Sequence, residues 1–199
     1  MLLFLIDKLA SSIVAFPLIA LFLFITDKER FLRKWIKVLL FAVYMNAMLI
    51  IVGIPNVAYI RWDPTINWIP FHDFSSSNIL GMVLNIIMLI PFGVFLPVYF
   101  AKFRKLLPTV LAGVIMSLTM EVLQLFTFRA TDVDDLIMNT LGTLLGYFIG
   151  ALIVRRADKK EKECRDIVKL VAMVTISIMV VFFINYPLMN LILHALGEI

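Results

Sequence analysis

The sequence predicts an all-α fold: a polytopic membrane helical bundle of about six transmembrane helices with both termini outside. Three observations predict it. Hydrophobic residues make up 62% of the 199 positions, charged residues only 16%, and the mean hydropathy is +1.01. A soluble domain carries about 45–50% apolar and about 25% charged residues. One water-facing core could not hide so much apolar surface, so lipid must be the solvent. Second, six apolar runs reach the roughly 20 residues that a spanning helix needs. They lie near 3–26, 38–60, 79–101, 106–128, 135–154 and 167–193.

The third observation is where the 18 Lys and Arg residues fall. Residues 1–8 carry one, the 27–37 loop five, 61–78 one, 102–105 three, 129–134 one, 155–169 seven, and the C-terminal tail none. Heavy and light loops alternate throughout. The positive-inside bias then puts 27–37, 102–105 and 155–169 in the cytoplasm. The chain reads as a multi-pass protein of the cell membrane, most simply a bacterial plasma membrane, divided into three parts. These are two N-terminal helices (1–60), a three-helix core (61–154), and a basic loop with a last helix (155–199).

Charge and cysteine content narrow the partners. A net charge of +4 and a pI near 9.3 would fit nucleic acid. The basic residues sit in short loops between apolar runs, however, so the bilayer is the expected partner and nucleic acid is not. The single cysteine, Cys164, excludes an intrachain disulfide and a Cys-based metal cluster. We expect no cofactor and no metal site. The cytoplasmic run ADKKEKECRD is a solvated charge run whose basic residues can touch anionic lipid.

The elements follow in order. The first run could be read as a cleaved signal peptide. Its apolar core is too long for one, its positive charges follow it, and TDKER offers no A-x-A-like site, so we read a retained helix kinked at Pro17. The second run ends near Pro55. An outer loop follows, NVAYIRWDPTINWIPFHDFSSSN, with Tyr59, Trp62, Trp68, Phe71 and Phe74. This is either an interfacial aromatic belt or a lid over a site, with Asn67, Pro70 and His72 facing it. One histidine without a second nearby suggests no metal. Ser75 to Asn78 read as an N-terminal cap for the third helix.

The third run places Asn85 about two turns in, and Pro91 with Gly93 is expected to interrupt its hydrogen-bond ladder near mid-membrane. After the basic stop KFRK, the fourth run carries Ser117, Glu121 and Gln124 at i, i+4 and i+7, one helical face. In the fifth run Asn139, Gly142, Gly146 and Gly150 form a stripe at spacings of three, four and four. Small residues at that spacing allow close helix approach, so Asn139 continues a packed face. Asn85, Glu121, Gln124 and Asn139 thus reach a similar depth below the outer surface, and the RATDVDD loop adds Arg129, Asp132, Asp134 and Asp135 above them.

An ionisable side chain inside a span costs roughly 2.5–3.5 kcal/mol or more and is a functional hypothesis by default. Two readings compete for this cluster. Either the polar residues only fix helix register, or they line a pocket opening outward, closed below by apolar packing around Pro91 and Gly142. In the second reading Arg129 suits a phosphate or carboxylate, and Glu121 acts as an acceptor or a base. Three aspartates exceed what a tight turn needs, which favours the pocket.

At these residues the sequence resembles the VanZ-like family, membrane proteins named for a teicoplanin-resistance determinant. The matching elements are INWIPF (66–71), NIIMLIPFGVFLP (85–97), SLTMEVLQLF (117–126) and R-x-x-D-x-D-D-x-x-x-N-T-x-G (129–142), which together cover about 66–150. Trp68 departs from the smaller aliphatic residue usual there, and the first, second and sixth runs lie outside the strong match. The resemblance implies that Asn67, Asn85, Glu121, Gln124, Arg129, Asp132, Asp135 and Asn139 are the characteristic polar positions. It also implies a role at the outer cell surface, where members lower sensitivity to lipoglycopeptide antibiotics.

Three functions are compatible with these features. The leading one is non-enzymatic: an envelope protein whose outward pocket binds a lipid-linked, glycopeptide or other cell-wall-related ligand. The second is an intramembrane enzyme acting on a lipid head group, with Glu121 as base and Asp132 and Asp135 holding a divalent metal. It lacks a recognisable Ser, Cys or His nucleophile. The third, a small transporter or flippase, would rest on Pro91 and Gly93, but no repeated half is visible.

Overall fold

Long apolar runs without water to satisfy their backbone must close every hydrogen bond internally, and helices do this within one segment. The computed structural model describes residues 10–62, 65–71, 75–127, 131–154 and 166–196, and is helical almost throughout. The helices are α1 (Ser12–Val52), α2 (Ser76–Tyr99), α3 (Leu106–Gln124), α4 (Val133–Val154), α5 (Asp166–Val180) and α6 (Tyr186–Leu196). A 3-10 turn, Ala101–Arg104, leads from α2 to α3, and a π turn, Val181–Asn185, joins α5 to α6. His72, Arg129 and Cys164 lie outside the described residues. The chain divides into two compact units, Met1–Ile60 with Ile167–Ile199, and Arg61–Asp166.

In the first unit, helical backbone extends over Ser12–Val52, across the segment expected as a loop at 27–37. TDKERFLRKW contains neither glycine nor proline and consists largely of good helix formers. Yet the Ser11 hydroxyl donates to Asn46 Oδ1 at 3.4 Å. A straight helix would hold those residues about 52 Å apart. The chain therefore doubles back between them, about a midpoint near residues 28–29, within the charged segment. Two apolar arms result. Ala15, Ile19 and Leu23 are buried on the first, and Val38, Ala42, Met45 and Leu49 on the second, both at helical spacing. Trp35–Val52 is long enough to cross a bilayer, whereas the described part of the first arm, Ser12–Thr26, is shorter.

Asp166–Ala195 is also apolar enough to span, at 30 residues. Its π turn has a local cause in Pro187, which follows it. A proline ring clashes with the carbonyl four residues back, here Phe183, and a widened turn relieves that clash. The neighbouring carbonyl of Phe182 accepts Val57 N–H at 3.0 Å, which fastens the chain after α1. Tyr59 and Tyr186 stack edge-to-face beside it at 5.4 Å.

The second unit is built on α2, α3 and α4, each long and apolar enough to span. Close approaches fix their directions. Gly142 lies against Ile86, Gly146 against Ile90 and Gly150 against Val94, so α2 and α4 run parallel. Gly113 lies against Thr143, and Ser117 bonds Asn139, so α3 runs antiparallel to α4. The glycine stripe does pack on a helix, as its spacing predicted, and that helix is α2. Pro91 has no N–H to give to the ladder, yet α2 does not break there: it is continuous through Pro91 and Pro97. Gly93 serves close packing instead. A Cβ there would lie 2.1 Å from the Thr143 carbonyl oxygen.

Candidate functional site

The N-terminal ends of α2 and α4 and the C-terminal end of α3 are tied together by two short loops. Residues Ile66–Asn67 and Thr131–Asp132 form a parallel two-stranded ladder, Asn67 facing Asp132. Thr131 N–H donates to the Thr65 carbonyl at 3.0 Å and extends the ladder. The INWIPF segment is therefore a strap, fastened across the start of α4. Sequence reading had left it open between belt and lid. The ladder was not foreseen, because two-residue strands carry no periodicity.

Asp132 joins three parts of the site. Its Oδ1 accepts Asp134 N–H at 2.9 Å, which caps α4. Its Oδ2 accepts the Asn67 amide at 3.1 Å. Its own N–H donates to Glu121 Oε2 at 3.3 Å. A cap of this kind contributes about 1 kcal/mol. Asp134, only 5% exposed, accepts Phe71 N–H on both oxygens at 2.9 and 3.1 Å. Phe71 is held with φ +55°, the left-handed region that a bulky side chain rarely adopts. This anchoring role for Asp134 was missed, since sequence alone does not say which of two adjacent aspartates turns to the strap.

Asp135, one position on, accepts the Asn85 amide of α2. Deeper, Asn139 Nδ2 donates to the Ser117 hydroxyl of α3 at 2.9 Å, and Thr143 Oγ1 donates to the Asn139 carbonyl at 3.0 Å. Ser117 shares the face of Glu121 and Gln124, as its spacing indicated, though it was not counted among the site residues. Glu121, Gln124 and Asn139 are all buried. The Glu121 carbonyl also accepts the Thr131 hydroxyl at 3.3 Å. One turn below Asn139 the helices close: a Cβ on Gly113 would lie 2.7 Å from Thr143 side-chain atoms.

Of the eight positions singled out, the structure joins Asn67 to Asp132, Asp132 to Glu121, and Asn85 to Asp135. Asn139 bonds Ser117 at the base, Gln124 is buried on the same face as Glu121, and Arg129 lies outside the described residues. Each of Asp132, Asp134 and Asp135 has an internal partner. Their number therefore no longer exceeds what the turn uses. Among the described residues, no group of three or more His, Cys, Asp or Glu side chains is placed to hold a metal ion. An apolar groove of about 520 Å³ among Phe22, Val171 and Thr175 belongs to the first unit and carries none of these eight residues.

A family model described as VanZ/LLP1 matches residues 39–154. The match reaches further back than the 66–150 expected from motifs and takes in the second arm of α1. Protein VanZ of Enterococcus faecium is 34% identical over 100 residues, covering 50% of this chain and 60% of that protein. The chain thus matches less than two thirds of that relative's length. No solved structure matches.

Proposed function

The chain belongs to the VanZ/LLP1 family, and from that premise we propose that it is a plasma-membrane protein whose polar site faces outward and binds a lipid-linked or cell-envelope ligand. Binding there lowers sensitivity to lipoglycopeptide antibiotics of the teicoplanin type. The positive-inside count supports the outward direction: the loops at 61–78 and 129–134, which meet over the site, carry one basic residue each. The observation that carries the reading is Glu121. A carboxyl group only 6% exposed, in a helix long enough to span, is a functional candidate by default. One backbone N–H at 3.3 Å orients it toward the junction of both loops with α3.

The test is Glu121→Gln, which keeps shape and hydrogen bonding but removes the charge. Wild type and variant are expressed at matched membrane levels in a susceptible Gram-positive host. Wild type raises the teicoplanin inhibitory concentration, and the variant returns it to the level of the empty vector. A fully folded variant that protects as well as wild type would make the cluster structural.

A further inference from the structure

Asn139 is 3% exposed, and its Oδ1 has no hydrogen-bond partner, although its Nδ2 is satisfied by Ser117. A buried carbonyl oxygen left without a donor is expensive and calls for an explanation. Its surroundings narrow what could supply one. Gly142 against Ile86 and Gly113 against Thr143 close the helices below. Above it on α3 stands Glu121, whose carboxylate can only accept when ionised. Asp132 and Asp135 accept as well. The carboxylates above Asn139 (Glu121, Asp132 and Asp135) thus offer acceptors rather than a donor.

We propose that Asn139 Oδ1 is the floor of the site and takes a hydrogen-bond donor, a hydroxyl or ammonium group at the tip of a polar lipid headgroup. This rests on the outward-facing site proposed above and specifies its ligand chemistry. Asn139 lies seven residues beyond Asp132, about 10 Å along α4. That distance suits an extended headgroup such as a disaccharide. An ethanolamine group would reach it only by drawing its phosphate in as well.

The experiment uses the full chain in nanodiscs of three compositions. One is phosphatidylcholine alone, whose quaternary ammonium has no N–H. The others add phosphatidylethanolamine, an ammonium donor, or diglucosyl diacylglycerol, a hydroxyl donor. We expect at least one donor lipid to raise the Tm of the wild type by about 3 °C over phosphatidylcholine alone, a gain of order 1 kcal/mol for a chain of this size. Which one does so identifies the donor. The increment is lost in Asn139→Leu and kept in Asn139→Asp, which retains an acceptor oxygen. If the amide were turned the other way, the site would need an acceptor. The phosphate common to phosphatidylcholine and phosphatidylethanolamine would supply it, and neither donor lipid would give an increment that depends on Asn139. Equal Tm values in all three bilayers, or an increment that survives in Asn139→Leu, overturn the proposal. Because no antibiotic is involved, that failure is separable from failure of the Glu121 test.

Discussion

Replacing Gly146 with alanine should be among the most damaging single-methyl changes in the second unit. An ideal Cβ there would sit 2.1 Å from the Ile90 carbonyl oxygen and 2.9 Å from Gly93 Cα, both backbone atoms that no rotamer change can move. Relieving the clash means separating α2 from α4 by more than 1 Å, and that opens the contacts at Gly142 and Gly150 as well. Overpacking a tight core costs about 1–3 kcal/mol, and a rigid backbone contact belongs at the upper end. For a chain of this length about 1 kcal/mol shifts Tm by 2–4 °C, so a loss of about 6–10 °C is expected. Gly81→Ala on α2 is the control, because nothing lies within 4 Å of a Cβ at that position. There alanine should gain about 0.5–1 kcal/mol in helix propensity. The assay is thermal unfolding in detergent, followed by intrinsic fluorescence or by retention on size exclusion. If Gly146→Ala melts within about 2 °C of wild type while Gly81→Ala behaves as expected, the backbones of α2 and α4 do not touch as described.

Three further outcomes follow from individual contacts. In a Cys164→Ser background, Ser11→Cys with Asn46→Cys should cross-link under mild oxidation, since their side chains meet at 3.4 Å. Failure to cross-link in a folded protein would mean that α1 does not double back. Cys164 itself, in the strongly basic 155–169 run, should resist a membrane-impermeant maleimide in intact cells and react once they are lysed. Labelling from outside would invert the proposed orientation. For the strap, a double-mutant cycle between Asn67→Ala and Asp132→Ala should give a coupling of about 1 kcal/mol, in the range for a hydrogen bond to a carboxylate that is partly exposed. Additive losses would show that the 3.1 Å bond is not maintained in solution.

The helical bundle was legible in the sequence because lipid imposes simple rules: length, apolarity and alternating basic loops. The face shared by Ser117, Glu121 and Gln124 and the small-residue stripe from Asn139 to Gly150 were legible for a related reason. Helical geometry converts spacing directly into a shared face. Three features were not correctly legible in the sequence, each for a physical reason. The ladder between Ile66–Asn67 and Thr131–Asp132 joins segments 65 positions apart through backbone groups, which have no residue signature. Pro91 suggested an interruption, but α2 continues through it, as bundled membrane helices tolerate. The π turn before Pro187 needed the structure, because a proline can be met by a kink, a break or a widened turn.

The internal partners of the aspartates shift where a ligand is to be sought. Asp132 caps α4 and holds Asn67, Asp134 holds Phe71, and Asp135 holds Asn85. Carboxylates engaged in this way stabilise the loops whether or not anything binds, so replacing them should lower stability first and activity as a consequence. Glu121 and Asn139 differ. Glu121 is a buried carboxyl group within α3 whose Oε2 takes the Asp132 N–H at 3.3 Å, and Asn139 keeps a buried oxygen without a donor. A fold selected only for register would gain by replacing both with apolar side chains of similar volume, since buried polar groups seldom add net stability over such replacements. The aspartates are explained by the strap they hold; under the proposed function, Glu121 and Asn139 are the residues that meet the ligand. The residues that build the site and those that would meet its ligand are therefore different, and the second set lies deeper.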